Sequence, residues 1–185
     1  MKEAAILLAP GFEECEALCV YDTLKRGGVK TSFLAVGERT VESSHGVKIT
    51  ADEVLSEKTL ERAFDLVFLP GGMPGASNLY RSVLVRRLVT KTNENLSLVG
   101  AICASPSVVL GPLGLLEGRK ATVFPGCESY WPGFDFSSDG VVVSGNIVTG
   151  KSAGWAFDTG ITLLSLLCGN ETAENVRKQI YYKEG

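Results

Sequence analysis

The stretch Leu96-Ser-Leu-Val-Gly-Ala-Ile-Cys103-Ala-Ser105 joins a short, mostly apolar run to a sharp change of pattern. Residues 96–102 lack the apolar–polar alternation of a half-exposed strand, which is typical of a strand buried on both faces of a sheet. We predict that a helix follows from about Ala104. A strand that passes directly into a helix indicates an α/β fold.

The same order of strand and helix recurs on both sides of this stretch. Further strands are predicted at residues 4–9, 31–36, 40–43, 47–50, 65–69, 121–124, 141–144 and 146–149. Helices are predicted at residues 13–27, 82–94 and 153–168, with a last one capped by Asn170. We expect one α/β domain over residues 1–185, a three-layer flavodoxin-like sandwich with a mostly parallel sheet and a small β-hairpin addition turning at His45.

Composition excludes several classes of protein. The 185 residues are 45% hydrophobic and 21% charged with a net charge of −3, so we expect neither disorder nor a basic face for nucleic acid. No apolar run approaches the roughly 18–20 residues of a membrane span. The run Ala4–Ala9 is followed by acidic residues instead of a signal-peptide cleavage site, so we expect no export signal.

Cysteine usage points to a reducing compartment. The chain has five cysteines, an odd and widely spaced set that does not suggest a disulfide framework. We therefore expect a cytoplasmic protein. The five are Cys15, Cys19, Cys103, Cys127 and Cys168.

Cys103 is the candidate nucleophile. Small residues on either side permit the tight strand-to-helix turn called a nucleophile elbow. A thiol beside a helix N-terminus has its pKa lowered from about 8.5 toward roughly 3.5–7.5, so we expect a reactive thiolate. The alternative is a buried structural cysteine, which is a common fate of free cysteines.

Loops that follow the other buried strands should meet Cys103, because ligands of open parallel sheets bind at the carboxyl ends of the strands. Gly71, Gly72 and Gly75 follow the strand at 65–69, and their bare N–H groups could hold a developing oxyanion. They match neither a P-loop nor a dinucleotide-binding motif. The alternative is a plain turn.

Three glutamates, Glu13, Glu14 and Glu16, begin the first helix. They could simply complement the helix dipole, and sequence spacing does not choose among them. An ionised carboxylate beside Cys103 would raise the pKa of the thiol, whereas a neutral one would donate a hydrogen bond to the thiolate. A useful glutamate must therefore be protonated near neutral pH.

Metal ligands are scarce. His45 is the only histidine, there is no CxxC, and the pair Cys15 and Cys19 one helical turn apart falls short of the four ligands of a zinc site. We predict no metal site, and we interpret the cysteine pair as small apolar filler.

Three motifs, in this order along the chain, resemble the ThiJ/PfpI family, and the similarity runs over essentially the whole chain. They are Pro10-Gly-Phe-Glu-Glu-Cys-Glu16, Leu69-Pro-Gly-Gly-Met-Pro-Gly-Ala76 and Ala101-Ile-Cys-Ala-Ser-Pro106. The resemblance implies a flavodoxin-like fold related to class I glutamine amidotransferases, usually as a homodimer.

The resemblance also assigns roles to individual residues. It implies that Cys103 is the reactive thiol and selects Glu16 as the protonated acid that touches it. It implies that the backbone of Gly71, Gly72 and Ala104 donates to an anion. His45 stands where relatives often carry a basic residue that approaches the neighbouring subunit's site, and Lys151 stands where they often have arginine.

Two positions depart from the family pattern. Phe124-Pro-Gly126 replaces a loop in which many relatives place a histidine, so a histidine proton donor for protease-like or glutaminase chemistry is absent there. Ser152-Ala-Gly154 replaces a common Gly-Pro-Gly. Whether Cys127, close behind Phe124, reaches Cys103 as a resolving thiol is a matter of geometry.

The sequence therefore predicts a cysteine-dependent glyoxalase or deglycase that needs no cofactor. Its substrates would be small dicarbonyls such as methylglyoxal, or their early adducts on proteins, with Cys103 as nucleophile and Glu16 as acid and base. The alternative is a non-catalytic oxidative-stress sensor or chaperone-like protein that works through oxidation of Cys103. We expect neither nucleic acid nor a membrane among its partners.

Overall fold

The computed structural model describes residues 1–182. Its strands are β1 (Glu3–Leu8), β2 (Lys30–Ala35), β3 (Thr40–Glu42), β4 (Lys48–Thr50), β5 (Glu53–Val54), β6 (Leu66–Leu69), β7 (Leu98–Ile102), β8 (Val141–Ser144) and β9 (Ile147–Gly150). Its α-helices are α1 (Glu14–Arg26), α2 (Glu57–Leu60), α3 (Gly75–Arg81), α4 (Val83–Glu94), α5 (Ala156–Cys168) and α6 (Asn170–Gln179).

Seven strands form one sheet in the order β5-β2-β1-β6-β7-β9-β8. All neighbours are parallel except β8, which pairs antiparallel with β9 at one edge. Strands β3 and β4 form a separate antiparallel hairpin. This arrangement confirms the predicted mostly parallel sheet with a small hairpin addition.

Alternate residues of the central strands face two different cores. Ala5 and Leu7 of β1 belong to one buried cluster, and Ile6 and Leu8 belong to the other. Helix α4 packs on the first face of the sheet, and helices α1 and α5 pack on the second. The absence of alternation in these strands therefore reports burial on both faces, and the predicted three-layer sandwich is confirmed.

The predicted strand at 121–124 is wrong. Thr122 makes only a single bridge to Ser137, and its N–H donates to the side chain of Thr149. Among the described residues the segment therefore joins no strand ladder, and β8 is the strand that occupies the edge of the sheet beside β9.

The helix predicted after Cys103 is present, but it is short. It is a five-residue π-helix, Pro106–Leu110, closed by the Gly111 N–H donating to the carbonyl of Pro106. Turns then lead to Gly118. Gly111 and Gly114 do not favour a continued helix, and the φ of Gly114 is +72°. The amides near the thiol therefore belong to a tight turn and not to a long helix dipole.

Smaller differences concern short elements and helix starts. Strand β5 and helices α2 and α3 were not predicted, and each has seven residues or fewer. Asn170 is the first residue of α6, with Gly169 at the cap position. None of the helices in the described part of the chain has the length and apolarity needed to cross a lipid bilayer.

Candidate functional site

Cys103 lies in a strained turn at the carboxyl end of β7. Its φ is +63°, in the left-handed region that residues other than glycine seldom adopt. Its N–H donates to the carbonyl of Gly150 at 2.9 Å, and its own carbonyl accepts from the N–H of Phe124 at 3.0 Å. Both backbone groups of the elbow are thus held by neighbouring loops, which keeps the strained conformation in place.

The loop after β6 approaches the elbow so closely that only glycine fits. A Cβ at Gly71 would lie 2.5 Å from Cβ of Cys103 and 2.8 Å from Oε2 of Glu16. A Cβ at Gly72 would lie 2.6 Å from the backbone nitrogen of Glu13, and the φ of Gly72 is +83°. The glycines therefore let three loops meet at one edge of the sheet.

Glu16 is the buried member of the three glutamates. It lies in the first turn of α1 and is completely inaccessible to solvent. Its Oε2 accepts a hydrogen bond from the N–H of Gly71 at 2.8 Å, while Oε1 has no conventional hydrogen-bond partner among the described residues. The carboxyl group interacts with the thiol of Cys103. The structure thus brings together Glu16, Cys103 and the loop of Gly71.

Burial dominates the electrostatics of this carboxyl group. Loss of solvent raises the pKa of Glu16 to about 7, although hydrogen bonds from Gly71 and Cys103 favour the charged form. The negative charge of Glu13 raises it further. Glu16 is therefore protonated in a large fraction of molecules near neutral pH, as the chemistry requires.

The thiol does not have the low pKa expected from the elbow. Burial and the ionised form of Glu16 raise the pKa of Cys103 to about 12, while the backbone N–H groups of Gly72 and Ala104 lower it. The helix that follows has only five residues, so the stabilisation of the thiolate comes from these two local N–H groups. The increase in the pKa of Cys103 caused by burial and by the Glu16 carboxylate is therefore larger than the decrease caused by the two N–H groups.

Cys103 and Glu16 titrate as a pair. Once the pair has lost its first proton, near pH 7, it carries one negative charge and one remaining proton. On Cys103 that charge faces the amides of Gly72 and Ala104, and on Glu16 it faces the amide of Gly71. When the remaining proton is on Glu16, its carboxyl group donates a hydrogen bond to the thiolate sulfur of Cys103, and the two groups no longer repel each other as two negative charges would. The arrangement can therefore present a thiolate and an acid together.

Ser105 is a supporting residue that the sequence reasoning treated only as a small neighbour. It is completely buried, and its Oγ donates to the carbonyl of Pro70 at 2.6 Å. This bond ties the turn after β7 to the loop after β6. The sequence shows only that Ser105 is small, because its burial and its bond to Pro70 arise from the fold.

His45 and Lys151 have partners outside the Cys103–Glu16 pair. His45 is exposed in the turn between β3 and β4, with Nδ1 3.0 Å from Oε1 of Glu14. Nζ of Lys151 donates to the carbonyl of Ser138 at 2.8 Å. Their predicted contacts with an anion or a partner subunit remain predictions.

Cys127 lies near the site but is not bonded to it. It is a free, partly buried thiol at the start of a short 3-10 helix, Cys127–Tyr130. Its N–H donates to the carbonyl of Phe124. Burial raises the pKa of the Cys127 thiol most, and the negative charges of Glu128 and Glu16 raise it further. A role as resolving thiol remains a prediction.

One group of metal-ligating side chains lies beside the site. Donor atoms of Glu13, Glu14 and His45 lie within 4.8 Å of one another in the part of the chain that the structure describes. The Ser44 hydroxyl already donates to Oε2 of Glu13 at 3.0 Å. Exposed acidic groups of this kind are common without an ion, so the cluster by itself is not a metal centre.

The chain resembles several known proteins of one kind. Proteins DJ-1 homolog B and A of Arabidopsis thaliana are 36% and 35% identical to it over 95% of this chain, which spans only 40% and 45% of their lengths. The glutathione-independent glyoxalase DJR-1.2 of Caenorhabditis elegans is 30% identical, with 97% of this chain and 96% of that protein covered.

A solved structure and a family model agree with these relatives. The crystal structure of a cysteine-to-alanine mutant of the DJ-1 superfamily protein STM1931 from Salmonella typhimurium has a TM-score of 0.94 and 36% identity, with both chains fully covered. The model of the DJ-1/PfpI family matches residues 2–166. With this fold and this cysteine elbow, the chain belongs to the DJ-1/PfpI family.

Proposed function

We propose that the protein is a cofactor-independent, cysteine-dependent enzyme that converts small dicarbonyls such as methylglyoxal, or their early adducts on proteins, into hydroxy acids. The observation that carries the proposal is the buried contact between the Glu16 carboxyl and the Cys103 thiol at a strained elbow. The name of the nematode relative, a glutathione-independent glyoxalase, supports the same reaction class.

The first step is addition of sulfur to an aldehyde. The thiolate of Cys103 attacks the aldehyde carbon, the C=O π bond breaks, and the oxygen takes a proton, which gives a thiohemiacetal. Glu16 is the adjacent proton donor, and its pKa of about 7 suits proton transfer in both directions near neutral pH.

The second step moves hydrogen between neighbouring carbons. The carboxylate of Glu16 takes the proton from the former aldehyde carbon, the electron pair of that C–H bond forms a C=C bond, and the neighbouring ketone oxygen becomes an enediolate oxygen. Glu16 then returns the proton to the carbon that bore the ketone, the hydroxyl proton of the former aldehyde carbon moves to the neighbouring oxygen, and a thioester of the 2-hydroxy acid remains. Water hydrolyses the thioester and restores the thiol, so methylglyoxal plus water yields lactate and a proton with no external oxidant or reductant.

Two backbone amides are placed to stabilise the oxygen that becomes negative. Gly72 and Ala104 direct their N–H groups to the sulfur of Cys103, where the reacting carbon would be attached. The Gly71 amide is already engaged by Glu16, so we assign it to the positioning of the acid. A missing oxyanion donor typically costs about 10²–10³-fold in turnover.

Lactate release from methylglyoxal tests the proposal directly. Wild type and Cys168→Ala should turn over at similar rates, whereas Cys103→Ala should lose activity. Turnover of Cys103→Ala at the wild-type rate would exclude the mechanism. A matched assay with a methylglyoxal-treated peptide separates action on the free aldehyde from action on its adducts.

A redox sensor is the second candidate, because a partly exposed thiol beside two amides and a protonated acid can also stabilise an oxidised sulfur. Mild peroxide followed by mass spectrometry should then give selective sulfinate at Cys103 in a protein without dicarbonyl turnover. Family membership also supports a homodimer, which sedimentation of the purified chain would test.

A further inference from the structure

The two amides that face the sulfur of Cys103 come from different segments of the chain. The N–H of Gly72 belongs to the loop after β6, and the N–H of Ala104 belongs to the turn after β7. The parallel ladder of β6 and β7 aligns these segments only as far as Leu69 and Ala101. Beyond that point, other contacts must set the distance between the two donors.

The hydroxyl group of Ser105 makes such a contact. Its Oγ donates a hydrogen bond to the carbonyl of Pro70 at 2.6 Å, and the residue is completely buried. Pro70 stands two residues before Gly72, and Ser105 directly follows Ala104. The bond therefore joins the two amide-bearing segments just beyond the end of the strand ladder.

The other side of the loop after β6 is fixed to the start of α1. The N–H of Glu13 donates to the carbonyl of Gly71 at 3.0 Å, and the N–H of Gly71 donates to Oε2 of Glu16 at 2.8 Å. The loop is thus held between α1 on one side and Ser105 on the other. Loss of the Ser105 bond would free it on the side of the elbow.

A second buried serine provides an internal comparison. Ser107 is also completely buried, and its Oγ donates to the carbonyl of Ala104 at 3.1 Å. Both bonds satisfy a buried hydroxyl group, as folding requires. The bond of Ser107 stays within its own turn, whereas the bond of Ser105 crosses to another loop.

We propose that Ser105 is a positioning residue that sets the distance between the amides of Gly72 and Ala104, so that both face a negative charge formed at Cys103. Backbone donors stabilise such a charge only when they are held within about 0.5 Å of the productive geometry. The consequence for turnover rests on the proposed dicarbonyl activity, whereas the consequence for the thiolate does not.

The pH dependence of Cys103 alkylation by iodoacetamide tests the proposal, with mass spectrometry to identify the modified cysteine. Ser105→Ala removes one oxygen atom and keeps the carbon skeleton, so we expect it to fold. Its alkylation midpoint should move to higher pH by about half a unit or more, because misaligned amides stabilise the thiolate less. Ser107→Ala is the matched control and should keep the wild-type midpoint.

Lactate release from methylglyoxal provides the second measurement. Ser105→Ala should lower kcat by about tenfold or more with KM within about twofold of wild type, since misplaced donors weaken binding of the transition state more than that of the substrate. Ser107→Ala should stay within about twofold of wild type in both constants. An inactive wild type would refute the proposed enzyme and leave the alkylation test intact.

Three outcomes would overturn the role of Ser105. The first is a wild-type alkylation midpoint in Ser105→Ala. The second is an equal shift of the midpoint in Ser105→Ala and Ser107→Ala, which would reduce both serines to structural support. The third is an unchanged kcat of Ser105→Ala in a preparation whose wild type is active.

Discussion

The elbow at Cys103 and the thiol pair on α1 contain the same chemical group in opposite settings. Cys103 has a left-handed backbone and is held by loops that follow other strands. Cys15 and Cys19 lie on a regular helix and contact each other at 3.8 Å. The comparison teaches that long-range packing sets the chemistry of the first sulfur, whereas local helical spacing sets the geometry of the other two.

The two regions also differ in what they cost the fold. A residue held in the left-handed region costs of order 1–3 kcal/mol, and it persists only where its surroundings over-determine it. Hydrogen bonds to Gly150 and from Phe124 provide that support at Cys103. The helix of Cys15 stores no such strain, so substitutions there should be nearly neutral for folding.

Replacing the elbow sulfur should give the largest effect. We expect Cys103→Ser to lower dicarbonyl turnover by at least about 10³-fold, because loss of a nucleophile removes the covalent route. Cys15→Ser and Cys19→Ser should stay within about twofold of wild type in the same lactate assay, since neither touches the elbow. Equal losses in all three variants would remove the distinction between the regions.

Glu16→Gln should change how stability depends on pH. The folded pKa of about 7 lies above the ordinary value of 4.5, so the folded state keeps a proton that the unfolded chain releases. The free energy of unfolding should therefore fall by up to about 3 kcal/mol as pH rises from about 4.5 to 7, and Glu16→Gln should abolish this fall.

Urea denaturation across that pH range measures the effect. Glu14→Gln is the matched control on the same helical turn, because hydrogen bonds and His45 lower the pKa of Glu14 despite its partial burial. Its carboxylate stabilises the fold above the ordinary pKa, so its contribution has the opposite sign. A pH profile of Glu16→Gln identical to that of wild type would contradict the pKa of Glu16.

Gly71→Ala should damage the site through packing. The added methyl group would lie 2.5 Å from Cβ of Cys103 and 2.8 Å from Oε2 of Glu16, so one of them must move. Displacement of a catalytic group by about 1 Å can cost about 10²-fold in turnover. Gly154→Ala is the control, because an added Cβ there would lie 3.8 Å from its nearest neighbouring atom, Oγ of Ser152. Equal activity of the two variants would contradict the close approach.

The smallest effect is expected from substitution of Cys15 on α1, measured as a change in the free energy of unfolding. Cys15→Ser should change the free energy of unfolding by no more than about 0.5 kcal/mol, as is usual for surface substitutions. Chemical denaturation gives the value. A loss well above 1 kcal/mol, on the scale of buried substitutions, would show that Cys15 supports the core after all.

Much of the fold could be predicted because a buried strand has a recognisable local pattern of apolar residues. Unbroken apolar runs located β1, β6 and β7, and helical periodicity located α1 and α4. The prediction for segment 121–124 failed because Ala121 and Val123 are buried although the segment does not join the sheet. Periodicity reports burial and does not identify hydrogen-bond partners.

The sequence by itself determined the alternation of strands and helices, the elbow position of Cys103 and the convergence of loops at one edge, because each follows from local pattern and from the rule for parallel sheets. Sequence spacing did not choose among the three glutamates, and only the family resemblance selected Glu16. The tertiary structure shows its carboxyl buried against that thiol, while Glu14 pairs with His45. It also decided the direction of both pKa shifts, since burial and charge at this edge come from segments far apart in the chain.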